Sequence, residues 1–178
     1  MNLTAEHIHL MFNHMPIIGL AAAAIALGVA IALPRRELVL AALGLALVFS
    51  APIPLVMWSG EAAHDRAEDG ALLPPFDEAG AEIVEIHYER AELISKAVYA
   101  TAGLSALAIG LALLRPKASE RARRVGTSVV LVGCLLSVGG AAWVANSGGK
   151  IRHPELRAQN ATPDAAALTG QGNDDDDD

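Results

Sequence analysis

The chain's capacity for chemistry rests on six histidines and the carboxylates around them. His7, His9 and His14 fall within "EHIHLMFNHMP" (6–16), His64 within "SGEAAH" (59–64), His87 within "EIHYERA" (85–91) and His153 within "GGKIRHPEL" (148–156). A neutral imidazole ligates transition metals, and its proton comes and goes near neutral pH. Three chemistries fit. A b-type haem takes two imidazoles from opposed helices and the dry interior of a bundle. A non-haem centre would mix imidazoles with carboxylates. Glu6-x-x-His9 and Glu61-x-x-His64 show the i, i+3 spacing of di-metal bundles, with Glu82, Glu85 or Glu89 as further ligands. The third chemistry is proton relay along imidazoles and carboxylates at a membrane mouth. A single histidine near a membrane more often bonds only to water, headgroups or loop backbone, and His7 and His64 fall to that role.

The elements that must carry these side chains are apolar. The chain of 178 residues is 53% hydrophobic, with a mean hydropathy of +0.38. Its apolar residues form four runs, 15–33, 38–58, 93–114 and 125–145. Each matches the length needed to cross a hydrocarbon core of roughly 30 Å. Helices of a soluble bundle would show a polar stripe. These show none, and only Lys96 interrupts them, near an end where its stem can snorkel. The expected fold is all-α, an integral membrane antiparallel four-helix bundle. The two short connections hold Arg35, Arg36, Arg115, Lys117, Arg121, Arg123 and Arg124, seven of the 13 basic residues, against two of the 20 acids. The positive-inside rule places these in the cytoplasm. Both termini and the 59–92 connection then lie outside, and all six histidines fall at or near one outer mouth. The net charge of −7 argues against nucleic acid as a partner. No basic residue precedes the first run, so a cleaved leader is not expected. The single Cys134 can form no intrachain disulfide.

Local signals refine the helices. Pro52 and Pro54 should kink the second span, since each removes a backbone donor. Pro74-Pro75 marks a turn, and Asp77 is an N-cap for a helix that runs straight into the third span, projecting about 24 Å before the lipid core. On that helix Ile83, Val84, His87, Ala91 and Ile94 share an inward stripe, beside Glu82, Glu85, Glu89 and Glu92. On the first helix His7, Met11, His14 and Ile18 line up, and His14, two residues before Pro16, lies near a helix start. His14 and His87 then sit at comparable depth on diagonal helices. Gly148-Gly149 is a natural helix stop, after which the chain folds back toward the mouth. Arg152 there suits a buried carboxylate or a haem propionate, or neutralises one of the many outer acids. Residues 158–178 end in five aspartates and read as a disordered acidic tail.

Four segments together, "HLMFNHMPIIG" (9–19), "SGE" (59–61), "EIHYERA" (85–91) and "GGKIRHPEL" (148–156), resemble an uncharacterised family of bacterial four-helix membrane proteins. Its pattern is H-x-x-x-N-H-x-P, then G-E, H-x-E and G-G-x-I-R-H-P-E. The matching positions are His9, Asn13, His14, Glu61, His87, Glu89, Arg152, His153 and Glu155. Related sequences are joined to cytochrome c or Rieske-type domains. The resemblance therefore implies the bacterial inner membrane, haem, and a redox partner such as a periplasmic cytochrome or Rieske protein. The leading expectation is b-haem with His14 and His87 as axial pair, and His9 and His153 as the alternative or second pair. The runner-up is a transition-metal site on His9, His14, His87 and Glu61, with Glu89. A structural or assembly subunit without cofactor is the third.

Overall fold

The computed structural model describes residues 3–72, 76–115 and 119–158, which form helices and connections with no strand among them. Prolines and polar caps decide where the helices break. Pro16 offers no N–H to the Phe12 carbonyl and crowds it with its ring. Helix α1 (Ala5–Phe12) therefore closes on Asn13, whose N–H reaches the His9 carbonyl at 2.9 Å, and α2 (His14–Ala32) starts afresh. The predicted interruption falls at Ala51-Pro52, between α3 (Arg36–Ser50) and α4 (Ile53–Glu68) with Pro54 in its first turn; the backbone there stays helical, so Arg36–Glu68 remains one span.

Helix α5 (Glu78–Leu114) runs 37 residues without interruption, and the Asp77 carboxylate accepts the Gly80 N–H at 3.0 Å, as its sequence predicts. At the usual rise this helix is about 55 Å long, nearly twice a hydrocarbon core, so part of it must stand clear of lipid. Ser119 caps α6 (Glu120–Arg152) by accepting the Ala122 N–H at 3.2 Å. The stop expected at Gly148-Gly149 is not there. Helix α6 continues to Arg152 and ends at His153, whose φ of −121° and ψ of 84° match the restriction a proline places on the residue before it. Pro154 then opens the short α7 (Pro154–Ala158). The turn expected at Pro74-Pro75, Lys117 and the acidic tail from 159 onward lie outside the described residues.

Four stretches, Ala5–Ala32, Arg36–Glu68, Glu78–Leu114 and Glu120–Arg152, are long and apolar enough to cross a membrane. Helix α2 packs on α3 and α6, α5 packs on the same two, and α3 also touches α6. Leu20, Leu27, Leu43, Val98, Val130 and Cys134 fill the core between them. Small residues let the helices close up. A Cβ on Gly19 would overlap the Phe49 ring, and one on Gly133 would lie 2.8 Å from Thr101 Oγ1. Buried hydroxyls are satisfied by helix carbonyls, as in Ser50 to Ala46 and Ser105 to Thr101, both at 2.7 Å. Thr101 and Ser137 also meet across the α5–α6 contact at 3.2 Å. Such a bond within a membrane contributes about 0.6 kcal/mol. The outward faces carry Ile18, Ile25, Leu107, Leu114, Val132 and Leu136, each more than half exposed. Faces of this kind suit a bilayer, since soluble monomers rarely expose so much contiguous apolar surface.

Candidate functional site

Helices α1 and α4, the start of α5, the end of α6 and α7 meet at one end of the molecule. Two imidazoles there are held alike. His9 on α1 places Nδ1 3.1 Å from the Val56 carbonyl of α4, and its ring lies on Gly60, where a Cβ would stand 3.0 Å from Cε1. His87 on α5 places Nδ1 3.1 Å from the Val144 carbonyl of α6, and its ring lies on Gly148, where a Cβ would again stand 3.0 Å from Cε1. Each valine carbonyl also accepts the hydroxyl of the serine three residues on, from Ser59 at 3.1 Å and Ser147 at 2.7 Å. At both floors a side chain would crowd the ring, which approaches the backbone closely.

The sequence repeats with the geometry. Ile8-His9 and Ile86-His87 stand on one helix, and V-x-x-S-G stands on its neighbour at 56–60 and 144–148. A carbonyl only accepts, so Nδ1 carries the proton in both rings and Nε2 keeps the lone pair. That is the tautomer in which metal-ligating histidines are usually held, with the far nitrogen anchored to a carbonyl. The two rings are half-buried. Asn13 Oδ1 beside them is buried without a hydrogen-bond partner.

The other candidates are placed as follows. Ile83, Val84, His87, Ala91 and Ile94 are all partly buried, and the four glutamates beside them are exposed, as the stripe predicts. His7, Met11, His14 and Ile18 do share a stripe on the first helices, but it faces out, with Met11 61% and Ile18 68% exposed. The inward side of that span instead carries His9, Phe12, Pro16 and Leu20. His14, Glu61, Glu89, Arg152 and His153 are all exposed. His153 Nδ1 donates to Glu155 at 2.8 Å, and the Arg152 guanidinium lies 4.0 Å over the Phe76 ring. Arg157 is a clamp that the sequence analysis did not name. It donates to Asp77 at 2.6 Å and to the Lys150 and Ile151 carbonyls at 2.7 and 2.6 Å, tying the end of α6 to the start of α5. That guanidinium, with the Gly80 N–H, holds the Asp77 carboxyl below the usual range.

His64 is not idle. Its Nε2 donates to Glu85 at 2.9 Å and its ring stacks on Tyr88, while His7 meets the Thr4 hydroxyl at 2.8 Å. Sequence reasoning passed over Val56, Ser59, Val144 and Ser147, and read Gly148 as a helix stop. A search for internal repeats would have found them through V-x-x-S-G. Comparison of the chain with family models, with characterised proteins and with solved structures finds no match.

Proposed function

We propose that this protein is an electron carrier of the bacterial inner membrane that holds b-type haem between His9 and His87, at the outer mouth of an antiparallel four-helix bundle with both termini periplasmic. One observation carries the reading: two imidazoles, on different helices, are anchored at the same 3.1 Å through Nδ1 and so present Nε2. Haem, held by His9 and His87, would supply a one-electron couple. The residues of the chain do the rest. The carbonyls of Val56 and Val144 fix the tautomer and raise the basicity of the ligating nitrogen. Gly60 and Gly148 let the Nδ1–Cε1 edge of each ring close on a helix backbone, so its direction is held by packing. Asn13 Oδ1 is an acceptor for a proton donor that comes with the ligand or with water. Arg152 and His153, exposed at the mouth, are placed to meet propionates or a partner such as a periplasmic cytochrome or Rieske protein.

Antiparallel spans are supported by the contacts along α5 and α6, where His87 meets Gly148, Ile94 meets Gly140 and Thr101 meets Gly133 in descending order. The orientation is supported by the basic residues, which gather in the two connections at the end away from the histidines. A non-haem centre on His9, His14, His87 and Glu61 is the weaker reading, because among the described residues those donors do not close on one ion.

A reduced-minus-oxidised visible spectrum tests the proposal on protein expressed with haem available and purified in mild detergent. The sharp bands of a six-coordinate b-haem are expected. A featureless spectrum overturns the reading.

A further inference from the structure

The end of α4 carries a second group of donors that the paired imidazoles do not use. We propose that His64, Asp65 and Glu68 bind a divalent first-row cation of the zinc class, at a site separate from His9 and His87. One ligand atom from each residue lies within 4.8 Å of the others, the spacing of i, i+1 and i+4 on one helical turn. The site has a back wall. Glu85 of α5 accepts the Nε2–H of His64 at 2.9 Å, and Tyr88 stacks on the ring at 4.4 Å. An ionised carboxylate accepts only, so the His64 lone pair is left on Nδ1. This carboxylate–histidine arrangement makes the ring a better ligand and fixes its direction. The His64 side chain is only 12% exposed, so its position is set by packing and not by solvent.

A cavity of about 210 Å³ between α4 and α5 is lined by two of the three donors, His64 and Glu68, with Phe76, Val84 and Glu85, while Asp65 lies outside it and is exposed. Coordination by three protein groups leaves positions for water or an exchangeable ligand, the pattern of open zinc sites. One imidazole with two carboxylates suits zinc-class ions better than calcium or magnesium, which favour all-oxygen shells. Asp65 and Glu68 together balance the charge of a divalent ion. The bland alternative is that His64 and Glu85 only join α4 to α5, with Asp65 and Glu68 as solvated surface acids.

Zinc titration by calorimetry decides between them, using the full chain in detergent after treatment with chelator. One equivalent should bind, and His64→Ala and Glu68→Gln should each weaken it about tenfold or more. Glu85→Gln should weaken it by about tenfold, the lower end for a residue that orients a ligand. The double variant His9→Ala/His87→Ala should bind zinc as the parent does, which separates this site from the haem reading. Failure of the parent to bind zinc overturns the proposal. So does binding that is unchanged in both His64→Ala and Glu68→Gln, since the ion would then sit on other acids.

Discussion

In the first half of the molecule, His9 reaches the Val56 carbonyl from an eight-residue helix that ends at Phe12; in the second, His87 makes the same 3.1 Å contact to Val144 from inside a helix of 37 residues. The partner helices differ as much. Pro52 interrupts the second span just before the helix that carries Val56 and Gly60, whereas α6 runs unbroken under Val144 and Gly148. What stays constant is the carbonyl, the serine three residues later and the glycine floor. In the second half Ser147 adds a 3.2 Å bond to His87 Nδ1, and Thr101 meets Ser137 between α5 and α6, whereas in the first half Arg66 of α4 pairs with Glu6 of α1 at 2.8 Å.

The largest difference should appear when the floors are filled. Gly→Ala in a helix ordinarily stabilises by up to about 1 kcal/mol. At Gly60 and Gly148 the new methyl meets an imidazole at 3.0 Å, and overpacking costs about 1–3 kcal/mol. Both substitutions should therefore lower thermal stability in detergent, Gly148→Ala by more because its helices have no nearby break to absorb the shift. Gly139→Ala, with nothing within 4 Å of its new Cβ, should raise stability. Equal effects at Gly148 and Gly139 would remove the case for a ring held against backbone.

The serines sharpen the contrast. Ser147→Ala removes an acceptor of His87 as well as its own bond and should cost about 1 kcal/mol, measured by denaturant unfolding. Ser59→Ala removes only bonds to its own helix and should cost clearly less. Thr101→Val, which deletes the link between α5 and α6 without changing shape, should cost about 0.6 kcal/mol in the second half.

The smallest effect is expected at the clamp of α7. Asp77 has its carboxyl held below the ordinary value of about 3.9 by Arg157. Its contribution is therefore fully present above that ordinary value and is lost as pH falls through the lowered one. The protection of amides at residues 150–158, taken relative to the intrinsic exchange rate at each pH, should fall over that acid window and stay constant from pH 5 to 8. In Arg157→Gln the exchange should be faster at neutral pH and the acid step smaller.

Much of this was legible in the sequence. The four spans, the interruption by Pro52, the Asp77 cap and the inward stripe through His87 each follow from a local rule that nothing in the tertiary structure overrides. The first span was read with the wrong face inward for a physical reason: in lipid both sides of a helix are apolar, so Met11 and Ile18 look as much like core as Phe12 and Leu20. Gly148 was ambiguous because glycine both ends helices and admits close neighbours, and here the proline six residues later ends the helix. Arg157 and the His64–Glu85 pair depend on contacts 80 and 21 residues apart in sequence, which no local pattern reports.

The most direct test of the matched pair is low-temperature electron paramagnetic resonance on oxidised protein loaded with haem, comparing the parent with His9→Ala, His87→Ala and His14→Ala. The paired reading predicts a low-spin bis-imidazole signal in the parent and in His14→Ala, replaced by a high-spin signal in each of the other two. A low-spin signal that survives both His9→Ala and His87→Ala, or that is lost in His14→Ala while His9→Ala retains it, would contradict it.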